Sequence, residues 1–222
     1  MSDEAQRLHA GAQALGVALN LQQGATLLRL LDELEQWNRA YNLTAVTDRA
    51  RMLNLHLLDS LSVSAALQGE RIADVGTGAG FPGLPLAVLH PQRQFTLLDS
   101  NGKKVRFVAH AVRTLGLPNV QAVHSRAEAL RPAVPFDTVL ARAVAPLPKL
   151  LNAVRTLCGA HTRVVALKGR LPAAELAELP AGWQLLSSRA VQLPGVAAER
   201  HVLMLGLRAM EPAGGAAGGP AG

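Results

Sequence analysis

From Glu70 onward the chain alternates short apolar runs with segments of helical period: RIADV, LPLAVL, QFTLLD, KVRFVAHAVRTL, NVQAVH, FDTVLA, LPKLLNAVRTL, TRVVALK, LPAAELAEL, WQLLSSRAV and RHVLMLGL. Strands that alternate with helices predict a parallel, doubly wound α/β sheet covered on both faces. Only Gln192 to Glu199 separate the last two strands, too few residues for a crossover helix, so that pair is expected to be antiparallel. With 222 residues the chain can bury such a sheet as one domain with an extension.

The region before Glu70 has a different character. Leu27, Leu28, Leu30, Leu31, Leu34 and Trp37 recur at helical spacing until a polar break at Asn42 to Asp48, and a second helical stretch covers roughly Arg49 to Leu67. The expected organisation is therefore an N-terminal helical extension over 1–69, a Rossmann-like domain over 70–208, and a disordered Gly/Ala tail over 209–222. Cys158 is the single cysteine, so the chain holds no internal disulfide and no zinc site of paired cysteines, and a reducing compartment is expected. The opening residues MSDEAQRLHA lack an apolar signal core, and no later run is long enough to span a bilayer; the expected location is the cytoplasm, with no membrane partner.

Charge is distributed unevenly. Residues 1–69 hold 5 basic and 7 acidic side chains, whereas residues 70–222 hold 17 and 9, so the sheet-forming part carries +8 of a chain whose net charge is +6. A field of that sign favours a polyanion such as RNA, although charge alone speaks weakly to partners.

The sharpest motif is Ala73-Asp74-Val75-Gly76-Thr77-Gly78-Ala79-Gly80-Phe81-Pro82-Gly83, which follows a strand and opens a helix. A ligand is expected at the carboxyl end of that strand, where glycines allow close backbone approach. Two cofactor classes compete. Gly78, Gly80 and Gly83 spell G-x-G-x-x-G with Asp99 at dinucleotide spacing, which keeps an NAD-dependent oxidoreductase open. Against it, Asp74 stands where a carboxylate suits a cationic ammonium and repels a pyrophosphate, and Phe81-Pro82 fill the turn that a phosphate needs open. Asp99 closes the second strand, where a carboxylate pairs with two ribose hydroxyls; the alternative is a helix cap near Lys103, a job Ser100 could also do. Ser125-Arg126-Ala127-Glu128 reads equally as a turn and helix start or as backbone reading an adenine edge.

DVGTGAGFPGLPLA, LLDSNGKKVRFV, HSRAEAL, VLARAVAPL and ALKG, preceded by WNRAYNLTAVTD and HLLDSL, together resemble the glucose-inhibited division protein B family (GidB, also called RsmG) from about Leu27 to Leu207. The resemblance implies a class I S-adenosylmethionine-dependent methyltransferase fold. It also implies transfer of a methyl group from S-adenosyl-L-methionine to N7 of a guanine in 16S rRNA, in a loop near the decoding centre. It carries cofactor contacts onto Gly76, Phe81, Ala127, Glu128 and Arg142; Asp74, Gly78 and Asp99 join them by the physical argument above. A non-catalytic RNA-binding scaffold is the rival outside enzymes.

The chain lacks the Asn/Asp-Pro-Pro-aromatic motif of exocyclic-amine methyltransferases, showing Ala141-Arg142-Ala143-Val144 instead, and Cys158 lacks an activating motif and reads as structural. A ring nitrogen is then the easy target, and no catalytic general base is expected. Guanine N7 is hidden in the deep groove of paired A-form RNA, so its base must lie in a loop or be splayed out. Arg142, Lys168, Arg170 and Arg200 are the candidate RNA contacts, with 16S rRNA or the 30S subunit as partner. A monomer without bound metal is expected. Asn42, His56 and Asp59, from the N-terminal helices, could equally cap helices or pack, and receive no chemistry.

Overall fold

The computed structural model describes residues 2–142 and 145–208; the Gly/Ala tail of 209–222 and Ala143-Val144 lie outside the described residues. Seven strands form one sheet: β1 (Arg71–Val75), β2 (Gln94–Asp99), β3 (Val120–His124), β4 (Phe136–Arg142), β5 (Cys158–Lys168), β6 (Trp183–Ala190) and β7 (His201–Leu207). Their order is β3-β2-β1-β4-β5-β7-β6. The first five are parallel, and β7 inserts between β5 and β6, antiparallel to both. The expected α/β class and the expected antiparallel final pair are both present. What strand spacing did not disclose is that the last strand in sequence is not last in space.

Alternation along each strand divides the core. Ile72, Leu97, Leu140, Val165 and Val202 face one way, against helices α5 (Gly83–Leu89) and α6 (Gly102–Leu115). Ala73, Leu98, Val139, Ala141, Val164 and Ala166 face the other way, against α7 (Leu147–Val154). Period-2 alternation with apolar residues on both faces is what a sheet covered on both sides requires. A short helix, α8 (Ala173–Ala177), lies between β5 and β6.

Helices α1 (Asp3–Ala14) and α2 (Leu21–Tyr41) precede the sheet, and α1 was not foreseen from periodicity. α2 starts on a reciprocal cap: Asn20 accepts from the Gln23 N–H at 2.8 Å, and the Gln23 side chain accepts from the Asn20 N–H at 3.0 Å. It ends at Asn42 in the left-handed conformation, within the predicted polar break. Leu27, Leu30, Leu31 and Leu34 are fully buried in the same cluster as Leu84 and Phe107, so the extension shares its core with one face of the sheet.

The predicted helix from Arg49 to Leu67 is shorter and less regular. α3 (Arg49–Met52), capped by Asp48, runs through a π-helical turn (Leu53–Leu58) into α4 (Asp59–Leu61), followed by a 3-10 turn at Ser64–Ala66. Apolar period alone cannot separate an α turn from a π turn, because the two differ by one residue in hydrogen-bond span. Among the described residues no helix is long and apolar enough to cross a membrane.

Candidate active site

One wall of the site is local in sequence. β1 delivers Asp74 and Val75 to its carboxyl end, and the backbone then turns through Gly76, Gly78 and Gly80 at φ of 64°, 61° and 86°. At Gly78 an added Cβ would meet nothing within 4 Å, so the residue faces open space and backbone conformation alone demands glycine. At Gly80 a Cβ would fall 2.3 Å from Leu84, so packing forbids it as well. Asp74 lies beneath the turn with no exposed surface; its Oδ2 accepts from Thr77 Oγ1 at 2.6 Å and from the Gly83 N–H at 2.8 Å. Its Oδ1 is buried without a partner. Burial outweighs those two hydrogen bonds and the Arg142 charge and pushes the carboxyl up to about 6.

Asp99 ends β2 directly across the turn. Its Oδ2 accepts from the Gly78 N–H at 2.9 Å and its Oδ1 from the Asn101 N–H at 2.8 Å, so it braces the glycine turn at the edge of the cleft. Neither Asp99 nor Ser100 caps α6: Asn101 does, accepting from the Lys103 N–H at 3.0 Å. The Ser125 N–H donates to the Asp99 carbonyl at 3.2 Å, which draws the segment after β3 alongside. There Ala127 is buried in a 3-10 turn (Ala127–Ala129) and Glu128 is exposed, so the turn read from this tetrapeptide is present, and both residues line the cleft.

The opposite wall is gathered from distant segments. Arg142, at the end of β4, donates through Nη1 to the Leu55 carbonyl at 2.9 Å and to Asp59 Oδ2 at 3.1 Å. Its guanidinium carbon sits 5.8 Å above the centre of the Phe81 ring, and His56 also stacks on that ring at 4.8 Å. His56 Nε2 shares a hydrogen bond with Thr44 Oγ1 at 3.1 Å. Burial, with the nearby Arg142 charge, pushes the imidazole down to about 4, so it is neutral near pH 7. Arg200 Nε lies 3.4 Å from Asp59 Oδ1. Sequence reasoning named His56 and Asp59 but gave them no chemistry, and it did not single out Thr44. The spacing of His56 and Asp59 in HLLDS, three apart on one helix face, was the signal available.

Between the walls lies a cleft of about 870 Å³ at the carboxyl ends of the parallel strands. Gly76, Gly78, Phe81, Asp99, Ala127, Glu128, Arg142, Lys168 and Arg200 all line it, and Asp74 underlies it. Lys168 is held by the Ala145 carbonyl at 3.0 Å and by Glu175 at 2.8 Å, and Arg170 is exposed and apart from the lining. Lys104, Arg126 and Lys149, not singled out beforehand, bring further positive charge to the lining. Cys158 is away from it: it opens β5, buried, and burial pushes its thiol up to about 12. Among the described residues no group of three or more His, Cys, Asp or Glu is arranged to hold a metal.

The sheet is similar to those of solved structures whose sequences have diverged. A SAM-dependent methyltransferase from Aquifex aeolicus matches with a TM-score of 0.54 at 19% identity, over 75% of this chain and 97% of that one. TrmN from Thermus thermophilus matches with a TM-score of 0.56 at 24% identity, over 78% of this chain and 53% of that one. These show the fold, a Rossmann-like methyltransferase sheet. Closer in sequence, the ribosomal RNA small subunit methyltransferase G of Pseudomonas fluorescens is 48% identical over 92% of this chain and 95% of its own length. Its counterpart in Pseudomonas syringae is 46% identical over 90% and 95%. Residues 23–203 match the family model described as rRNA small subunit methyltransferase G (GidB), and the chain therefore belongs to that family.

Proposed function

We propose that the protein transfers a methyl group from S-adenosyl-L-methionine to N7 of a guanine in 16S rRNA, presented in the 30S subunit or in free RNA. The observation that carries the reading is the pairing, across one cleft, of the glycine turn with a wall bearing Arg142 and Arg200. The residues fit the cofactor. Gly78 leaves open space where a ligand backbone or ribose can approach, and Asp99 has spent one acceptor site per oxygen on N–H groups, keeping the others for hydroxyls. Asp74 Oδ1, an unpaired buried acceptor beneath the turn, favours a cationic amino-acid group above it and disfavours a pyrophosphate, which weighs against the dinucleotide alternative.

The cofactor, when bound, supplies an electrophilic methyl on a cationic sulfonium. Guanine N7 has an in-plane lone pair and no proton near pH 7, so no residue has to remove one. The chain's work is to orient: Gly76, Gly78 and Asp99 with Ala127 and Glu128 hold one reactant, and Arg142 presents a donor to guanine O6 or to a phosphate. Holding two reactants at near-attack distance can lower a barrier by about 7–11 kcal/mol. His56 and Phe81, buried and stacked at 4.8 Å, form one stretch of the cleft lining. Radiolabelled methyl transfer to 30S subunits and to protein-free 16S rRNA that both lack the modification, followed by mapping of the labelled nucleotide, tests the reading and separates the two substrates. Label on no RNA, or on a pyrimidine or exocyclic amine, would overturn it.

A further inference from the structure

The wall opposite the glycine turn depends on one carboxylate that comes from outside the sheet. Asp59 is 6% exposed and lies between two guanidiniums, with Oδ2 3.1 Å from Arg142 Nη1 and Oδ1 3.4 Å from Arg200 Nε. The two arginines leave the carboxyl end of β4 and the start of β7, strands separated in the sheet by β5. Among the described residues no second hydrogen-bond or ion-pair partner is shared by the two arginines.

The π turn makes this arrangement possible. The Asp59 N–H bonds to the carbonyls of Asn54 and His56 and bypasses Leu55. The Leu55 carbonyl, displaced from that ladder bond, accepts from Arg142 Nη1 at 2.9 Å. A regular α turn would direct the Asp59 N–H to Leu55, so the slipped register presents a carbonyl and a carboxylate together to one guanidinium nitrogen.

We propose that Asp59 is a positioning residue: presented by the π turn, it fixes the orientation of Arg142 and Arg200 at the cleft and thereby the placement of the target nucleotide, without itself touching substrate. This rests on the methyl-transfer reading above. Without the carboxylate, two like charges would face each other with no shared partner, and the long side chains would regain their rotamer freedom. The cationic surface toward RNA would still be present, and locally stronger.

Position and attraction can therefore be separated. In Asp59→Asn, single-turnover methyl transfer at saturating RNA should fall at least tenfold, while RNA affinity by filter binding stays equal or tightens. In an Arg142→Ala background the same substitution should cost clearly less than in the parent, because the part of its effect that passes through that arginine is already gone and only the Arg200 part remains. Asp59→Glu, which keeps the charge, should recover part of the rate, and it carries the test if the Asn variant does not fold. An unchanged rate in Asp59→Asn would overturn the proposal. So would a parallel loss of rate and RNA affinity that persists in full in the Arg142→Ala background, since that is the behaviour of a purely architectural ion pair. Asp59→Glu no faster than Arg142→Ala would overturn it as well. A parent protein that transfers no label would instead defeat the methyl-transfer reading, and the role of Asp59 with it.

Discussion

The two walls of the cleft are built in opposite ways. The glycine wall is a continuous segment, Asp74 to Gly83, braced by Asp99, and its shape follows from residues that are neighbours in the chain. The arginine wall joins Thr44, His56, Asp59, Arg142 and Arg200 against the Phe81 ring, with Asp59 and Arg142 alone 83 positions apart. The first holds its form through backbone dihedrals and two buried carboxylates, Asp74 and Asp99. The second depends on side chains meeting across the fold. A local wall should fail abruptly at single positions, whereas a gathered wall should fail by degrees.

Gly78→Val should break the glycine wall most severely. A β-branched side chain at φ 61° costs roughly 1–3 kcal/mol in backbone strain and projects into the space left for a ligand. Calorimetric titration with S-adenosylmethionine should show no binding, while circular dichroism remains native. Native affinity in this variant would mean that the turn is not the cofactor wall.

Asp99→Ala comes next. It removes acceptors for the Gly78 and Asn101 N–H groups as well as for the proposed ribose hydroxyls. Cofactor affinity should weaken by roughly 1–3 kcal/mol, the range for hydrogen bonds to charged groups. An affinity within twofold of the parent would count against it.

The buried Asp74 connects this wall to pH. Its folded value of about 6 lies above the ordinary 3.8, so its protonated form favours the fold: that contribution is complete below about 3.8 and is lost as pH rises through about 6. Above pH 6 the protein therefore carries a buried charge, and Asp74→Asn should raise the stability of the cofactor-free protein at pH 7.5 by on the order of 1–3 kcal/mol in urea melts. The same variant should lose cofactor affinity, and parent affinity should fall about tenfold per pH unit below 6 if the ionised form is the one that binds. At saturating cofactor and RNA the single-turnover rate should stay flat from about pH 6.5 to 9, because no base is needed and His56 titrates near 4. A unit-slope limb in that window that disappears in a His56 variant would show proton abstraction after all.

The smallest effects belong to the basic rim. If Arg170 and Arg200 contact phosphates, each alanine variant should flatten the log–log salt dependence of RNA affinity by about 0.7–0.9. Lys168→Ala should flatten it less, because Glu175 already matches its charge at 2.8 Å. An equal change at all three positions would mean that the Glu175 pair opens on RNA.

Much of the sheet was readable because strand alternation and helical period are local signals: RIADV and QFTLLD fill the strands they predicted, and FDTVLA falls one residue short of its strand, which runs on to Arg142. The glycine turn was readable for the same reason. The insertion of β7 between β5 and β6 was not, since strand order is set by which edge offers unpaired backbone groups and apolar cover, which no window of sequence contains. The capping of α6 by Asn101 rather than Asp99 or Ser100 turned on a choice among three adjacent polar residues, decided by Asp99 turning to the Gly78 N–H.

By itself, then, the sequence determined the α/β class and the glycine turn with its two flanking carboxylates, because backbone dihedral preference and side-chain period act between near neighbours. Only the tertiary structure decided that His56 and Asp59 belong to the site. A one-residue slip into a π turn leaves the apolar period of LNLHLLDSL intact, yet it releases the Leu55 carbonyl and, with the strand order, brings a helix of the extension against arginines from β4 and β7. Such contacts depend on the folding of the whole chain, and energies shared across 83 residues of separation leave no local mark.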